Sequence, residues 1–192
     1  SAQTPELEKA ARAEGRVTSV GMPADWANWR ATWADLQRLY GLSHVDTDMS
    51  SAEQIAKMEA ERANASIDLG DVGFEFGPIA KARGLTRAYK PSTWAQVPDW
   101  AKDADGHWAL AYTGTIAFAV NKRLLKDVPR SWKALFAAAP RVLIGAVGRA
   151  AQANATVLAA AHALGGSEVQ LQPALQAFAQ LAKARKLLST DP

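Results

Sequence analysis

The sequence contains no cysteine, which removes disulfides, iron–sulfur clusters and thiolate zinc sites and leaves either redox compartment open. Histidine is scarce: His44, His107 and His162 each stand without a second histidine or a carboxylate at metal-ligand spacing, so no metal site and no cofactor are expected. No stretch approaches the roughly 20 uninterrupted apolar residues that a membrane helix needs. An excess of one charge is missing too. The 22 Lys and Arg are scattered among 19 Asp and Glu for a net charge of +3, so there is no basic stripe and no nucleic-acid partner is expected. There is no repeat of fixed period and no low-complexity tail. What remains, 48% hydrophobic and 21% charged over 192 residues, is the composition of a globular chain with room for one large domain or two small ones. Ser1-Ala2-Gln3 fits what is left after removal of a signal peptide, or a cloning remnant.

Helical and extended patterns alternate along the chain. Thr4 to Glu14 reads as a helix with Thr4 as N-cap, Pro5 at the first position and Gly15 past the end. Arg16 to Val20 reads as a strand. After the loop Gly21-Met22-Pro23-Ala24, Asp25 is placed to cap a helix running to Tyr40, with Trp29, Trp33 and Leu36 on its inner face and Asp25 and Trp26 at its exposed mouth. Leu42 to Asp46 is a second strand. Ser50 or Ser51 then caps a helix from Ala52 to Ala63, and Glu53 or Gln54 completes a capping box. Ile67 to Val72 is a third strand, ending in the loop Gly73-Phe74-Glu75-Phe76. Three such units in succession imply a parallel sheet whose loops meet at the carboxyl edge of the strands, where open α/β sheets bind ligands.

From Lys81 to Gly106 the pattern loosens, and Trp94 and Trp100 are expected to pin this segment down. The stretch Trp108 to Lys122, WALAYTGTIAFAVNK, follows. Its run Ile116 to Val120 reads as a strand buried on both faces. The polar interruption at Tyr112, Thr113, Gly114 and Thr115 is either a bulge or the floor of a cleft where the strand passes between two lobes. Ser131 caps another helix, Arg141 to Gly145 is a strand, and Gly148-Arg149 leads into a helix from Ala150 to Leu164. That junction is suited to an anion, since amides at a helix start point outward. Gly145 and Gly148 make neither a dinucleotide fingerprint nor a P-loop. A last helix is expected from Leu171 to Leu187.

The order of these elements, with DTDMSSAEQIAKMEAE, DLGDVGFEFGPIA, DGHWALAYTGTIAFAVNK, RSWKALF and RVLIGAVGRAAQANATVLAAAHALGG, resembles the extracellular solute-binding proteins of ABC importers, in the branch with ferric-iron, thiamine, phosphonate and sugar-phosphate binders. The resemblance implies an α/β, periplasmic binding protein-like fold. Two α/β lobes are joined by crossover strands: residues 1–111, a crossover or hinge strand at 112–121, and residues 122–192 as a partial second lobe. It implies a protein of the periplasm or exterior that performs no chemistry, captures a small-molecule ligand between its lobes and delivers it to a membrane permease. The family's ligand loops fall on Asp25 and Trp26; on Ser50, Ser51 and Glu53; on Gly73, Phe74 and Glu75; on Tyr112, Thr113 and Thr115; and on Gly148, Arg149 and Gln152. Family members are longer than this chain, so a C-terminally truncated second lobe is expected, with self-association or strand exchange as its consequence.

The ligand class stays open between two chemistries. Helix N-termini and Arg149 favour an anionic or zwitterionic organic solute. Asp25, Asp48, Glu53 and Glu75, with Trp26 and Phe74, argue for an amine such as a polyamine, and a metal complex is a further alternative. An α/β hydrolase or transferase acting on a small phosphorylated compound is the competing reading; it needs a nucleophile with its base, and Gly-x-Ser-x-Gly is absent. A sensor domain of a membrane receptor shares the fold.

Overall fold

In the computed structural model, which describes residues 3–190, the chain divides into two compact units, residues 1–113 and 114–192. Ser1 and Ala2 of the expected N-terminal stub lie outside the described residues.

Unit 1 begins with α1 (Pro5–Glu14), capped by the Thr4 hydroxyl accepting from the Leu7 N–H at 3.1 Å and closed by Gly15 at φ 69°. The chain then alternates through β1 (Arg16–Val20), α2 (Trp29–Tyr40), β2 (Ser43–Thr47), α3 (Ser51–Ala60), β3 (Leu69–Gly70) and α4 (Phe76–Ala82). The sheet order is β2-β1-β3, and both pairings are parallel. β1 is therefore central, and Val20 at its end is 1% exposed. In the β1/β2 register Val17 faces His44 and Ser19 faces Asp46. These residues point toward α2, where the Trp33 ring stacks on His44 with centroids 3.6 Å apart. Residues 83–113 follow as turns and two single-turn 3-10 helices, tied back by Lys81, which bridges Asp103 at 2.7 Å and Asp105 at 2.8 Å.

Four expectations for unit 1 need correction. Asp25 does not cap α2: Ala27 and Asn28 take left-handed backbone angles, φ 48° and 59°, so the helix starts at Trp29 behind an Asn28 cap with no side-chain hydrogen bond. Of the three residues placed inside, Trp33 is buried while Trp29 and Leu36 are half-buried. The third strand shrinks to Leu69–Gly70: its partner β1 ends at Val20, and at the other end the Thr18 N–H goes to the Asp68 carboxylate at 2.8 Å. Trp100 is 68% exposed and pins nothing; Trp94 is half-buried and holds the Lys102 ammonium over its ring.

Unit 2 opens with an extended segment. Ile116, Phe118 and Val120 are half-covered and alternate with exposed Ala117 and Ala119. The strand expected here, buried on both faces, is instead an extended chain with one face packed and no ladder partner among the described residues. Phe118 meets Trp132 edge-on at 4.9 Å. α5 (Trp132–Ala138) is capped by Ser131, whose hydroxyl accepts from the Ala134 N–H at 3.0 Å. β4 (Val142–Ile144), α6 (Ala151–Ala163), α7 (Gln172–Lys183) and β5 (Leu187–Ser189) complete the described chain. The last helix stops at Lys183 because Arg185 takes φ 57°, and Leu187, read from sequence as its end, instead opens the strand Leu187–Ser189, which runs parallel to β4. The core is a small-residue seam between α6 and α7 (Ala160, Ala161, Ala174, all 0% exposed) closed by Val157, Phe178 and Leu181, with Trp132 and Phe136 against it.

Phe178 is the largest member of that core and meets Phe136 edge-on at 5.1 Å. Phe178→Ala is expected to destabilise unit 2 by about 3–5 kcal/mol, the cost of a large cavity that its small-residue surroundings cannot collapse into. Urea unfolding followed by the near-UV circular dichroism of the aromatic cluster checks it, and a loss below about 1 kcal/mol would contradict this packing.

Candidate functional site

Parallel pairing puts the residues after β1, β2 and β3 at one edge of the unit 1 sheet. Gly21 to Asn28 follow β1, Asp48 to Ser50 follow β2, and Asp71 to Glu75 follow β3. An open cleft of about 320 Å³ lies there, lined by Gly21, Pro23, Asp25, Trp26 and Asp48. Two of its five lining residues are carboxylates and one is an exposed indole, so its lining favours positive charge.

The loops around this cleft are tied down by side chains from the elements beneath. The Asp46 carboxylate accepts from the Met22 N–H at 3.0 Å, and the Met22 carbonyl accepts from the Trp33 indole at 3.2 Å. The Ser50 hydroxyl accepts from the Glu53 N–H at 3.2 Å and lies 3.1 Å from the Glu53 carboxylate; the Ser51 hydroxyl accepts from the Gly73 N–H at 3.0 Å. Both serines are under 9% exposed. The Ser50 hydroxyl caps α3, as the sequence pattern allowed, and the Ser51 hydroxyl serves the β3 loop.

A second set of polar groups stands beside the cleft. The Tyr112 hydroxyl donates to the Asp71 carboxylate at 2.7 Å and accepts from the Trp26 indole N–H at 2.8 Å. Burial pushes the Asp71 carboxyl above its ordinary range, opposed by the Tyr112 hydrogen bond and the neighbouring Trp29 indole. Burial, and then the Asp71 carboxylate, push the Tyr112 phenol up to about 12. Asp71 was missed in the sequence because it read as part of a strand. The available signal was an Asp immediately after Gly70 where a parallel strand ends.

Among the sequence-derived candidates, unit 1 brings Trp26 and Tyr112 into direct contact and sets Asp25 in the cleft wall. Gly73, Phe74 and Glu75 lie in the third loop of the same edge, where Phe74 is exposed and meets Trp108 edge-on at 5.4 Å. Thr113 is exposed at the end of unit 1 and Thr115 is exposed in unit 2. Gly148, Arg149 and Gln152 sit in unit 2 between β4 and the first turn of α6, all exposed. There the Asn154 carbonyl oxygen accepts from the Gly148 N–H at 2.7 Å, and α6 begins without a side-chain cap.

Unit 1 also assembles a serine, a histidine and an aspartate. The Ser19 hydroxyl lies 2.7 Å from His44 Nε2 and donates to Asp46 at 2.5 Å. Its single hydrogen is committed to the carboxylate, so it must accept from a protonated Nε2. His44 is thereby the donor, the reverse of what a general base does, and Ser19 is 1% exposed. The trio is a strand-to-loop tie and cannot present a nucleophile.

Residues 67–189 match the sequence profile of the family described as bacterial extracellular solute-binding protein. The fold is similar to that of a solved periplasmic binding protein, P5PA, with a TM-score of 0.70 at 17% identity, over 90% of this chain and 56% of that one. The chain thus spans little more than half the length of that protein. No curated protein matches it in sequence.

Two outcomes follow from the electrostatics of unit 1. Burial holds the His44 pKa below 6.5, with Asp46 opposing. The unfolded chain therefore binds the proton more readily, so the stability His44 contributes is present above pH 6.5 and lost as pH falls through its lower native value. Urea midpoints measured from about pH 8 to about pH 5 should decline less steeply in His44→Gln than in the parent. Asp71→Asn should keep or raise the melting temperature at neutral pH, because it removes a partly desolvated charge while leaving an acceptor for Tyr112. Tyrosinate absorbance should show Tyr112 ionising below its parent value of about 12. A marked loss of stability in Asp71→Asn would contradict the origin assigned to the raised carboxyl pKa.

Proposed function

The chain belongs to the family of bacterial extracellular solute-binding proteins, and from that premise we propose that it is the substrate-binding component of an ABC importer, holding an amphoteric organic solute and passing it unchanged to a membrane permease. The observation that carries the ligand class is the cleft at the sheet edge of unit 1, where Asp25, Asp48 and the Trp26 indole line one small space. At about 320 Å³ it is at the lower end of ligand pockets, which run about 300–1,000 Å³. A primary ammonium group fits: two carboxylates attract it and the indole face adds about 0.5–2 kcal/mol. Exposed ion pairs contribute at most about 1 kcal/mol each, so the aromatic wall matters as much as the charge.

Unit 2, taken by itself, shows a different preference. The first turn of α6 carries no acidic residue and no side-chain cap, so no carboxylate of that turn answers the helix dipole, which favours an anion near Gly148, Arg149 and Gln152. The α3 start in unit 1 offers less, since Ser50 and Glu53 already occupy it. Among the described residues no helix is long and apolar enough to cross a membrane. The reading of an α/β enzyme loses support because the Ser19, His44 and Asp46 trio has its proton running the wrong way.

Thermal shift with three probes tests this. Phosphoethanolamine and putrescine should raise the melting temperature, with stabilisation near about 2.7 kcal/mol at a hundredfold excess over the dissociation constant, and glucose 6-phosphate should do less. Asp25→Asn together with Asp48→Asn should remove the putrescine response. Stabilisation by the sugar phosphate alone, unaltered in that double variant, would overturn the amine assignment. Turnover of any probe would restore the enzyme reading.

A further inference from the structure

We propose that Gln54 is a positioning residue for the solute cleft: its buried carboxamide fixes the three loops of the unit 1 sheet edge relative to one another. The inference rests on the reading of that cleft as the solute site. Gln54 closes the first turn of α3 and is 1% exposed. Its Nε2 donates to the Asp71 carbonyl at 2.6 Å and to the Met49 carbonyl at 3.3 Å. Both amide hydrogens are thereby used, one on the loop after β3 and one on the loop after β2.

The third loop is set by contact rather than by a bond. Gly21, a wall of the cleft, lies so close over the carboxamide that a Cβ there would fall 2.2 Å from Nε2. A Cβ on Gly70, at the end of β3, would fall 2.7 Å from Oε1. The carboxamide is therefore wedged between the ends of β1 and β3, and glycine on both sides is what admits it. Met49 adjoins the cleft carboxylate Asp48, and Asp71 carries the carboxylate that Tyr112 and, through it, Trp26 depend on. One side chain thus touches every loop that forms the cleft.

The acceptor end argues for the same role. Gln54 Oε1 is buried and has no hydrogen-bond partner. An unsatisfied buried acceptor is a cost that an apolar side chain of the same length would not incur. Packing alone would favour that apolar residue; the two donors are what a carboxamide supplies in its place.

Gln54→Met tests this directly, since methionine fills the same length, removes both donors and removes the orphan acceptor. The variant is expected to melt cooperatively at close to the parent temperature. In the parent the Tyr112 phenol is held up to about 12. In Gln54→Met its ionisation should fall back toward the ordinary tyrosine value of about 10, read as tyrosinate absorbance without any ligand. Putrescine affinity should fall by about tenfold or more. Gln54→Asn, which draws the carboxamide back by one methylene, serves as a second variant with the same two readouts. A folded variant in which Tyr112 resists ionisation as it does in the parent would overturn the proposal. If the tyrosine shift appears in the variant while the parent ignores putrescine, the positioning role stands and the amine reading of the cleft falls.

Discussion

Parallel pairing of β1 with strands on both sides is the constraint from which the rest of unit 1 follows. It sends three chain reversals to one edge of the sheet, and each reversal brings backbone groups that the ladder no longer satisfies. Those groups are met by side chains from below: Asp46 takes the Met22 amide, Ser51 takes the Gly73 amide, and Gln54 supplies the Met49 and Asp71 carbonyls. The polar residues buried in this unit, Ser19, Ser50, Ser51 and Gln54, are all within this scheme. A sheet edge built this way holds its loops in place before any solute arrives, which lowers the ordering cost of binding.

Ser19, His44 and Asp46 show how composition misleads when direction is ignored. Three side chains of hydrolytic type meet at 2.5 and 2.7 Å, yet the proton sequence runs from imidazole to hydroxyl to carboxylate. In a triad the histidine lies between the other two and draws the proton from serine. Here serine lies between, buried against a stacked Trp33–His44 pair. The arrangement closes a ring through Met22 and Trp33, so what it fixes is the loop that leads to Trp26.

Much of this architecture was legible from residue pattern, and the exceptions have identifiable causes. Thr4, the Ser50-Ser51 pair and Ser131 signalled their helix starts because a hydroxyl at the N-cap is a local device that needs no tertiary information; of the pair it is Ser50 that caps α3. The alternation of elements gave the parallel sheet. The start of α2 was misplaced because Ala27 and Asn28 adopt left-handed angles without a glycine to announce them, and Arg185 ended α7 in the same silent way. Ile116 to Val120 looked like a doubly buried strand because apolar content does not report which face is covered; one face packs and the alanines look outward. Asp25 and Trp26, in the cleft wall, were legible as residues at an exposed helix mouth, and Tyr112, beside the cleft, as a polar interruption in an apolar run. Asp71 and Gln54 were not, since their parts depend on where β3 stops and on how close Gly21 and Gly70 approach.

The two helix starts nearest the candidate loops differ in a way that bears on the solute. At α3 the first turn carries Glu53, held by the Ser50 cap, so a negative charge belonging to the protein already answers the helix dipole. An anion arriving there would meet a carboxylate in its place, with Asp25 and Asp48 adding to the repulsion in the same unit. At α6 the first turn has no acidic residue and Ala150 provides no cap, while Gly148 at φ 87° leaves open space above the turn. One unit therefore favours positive charge at its sheet edge, and the other favours negative charge at its helix start.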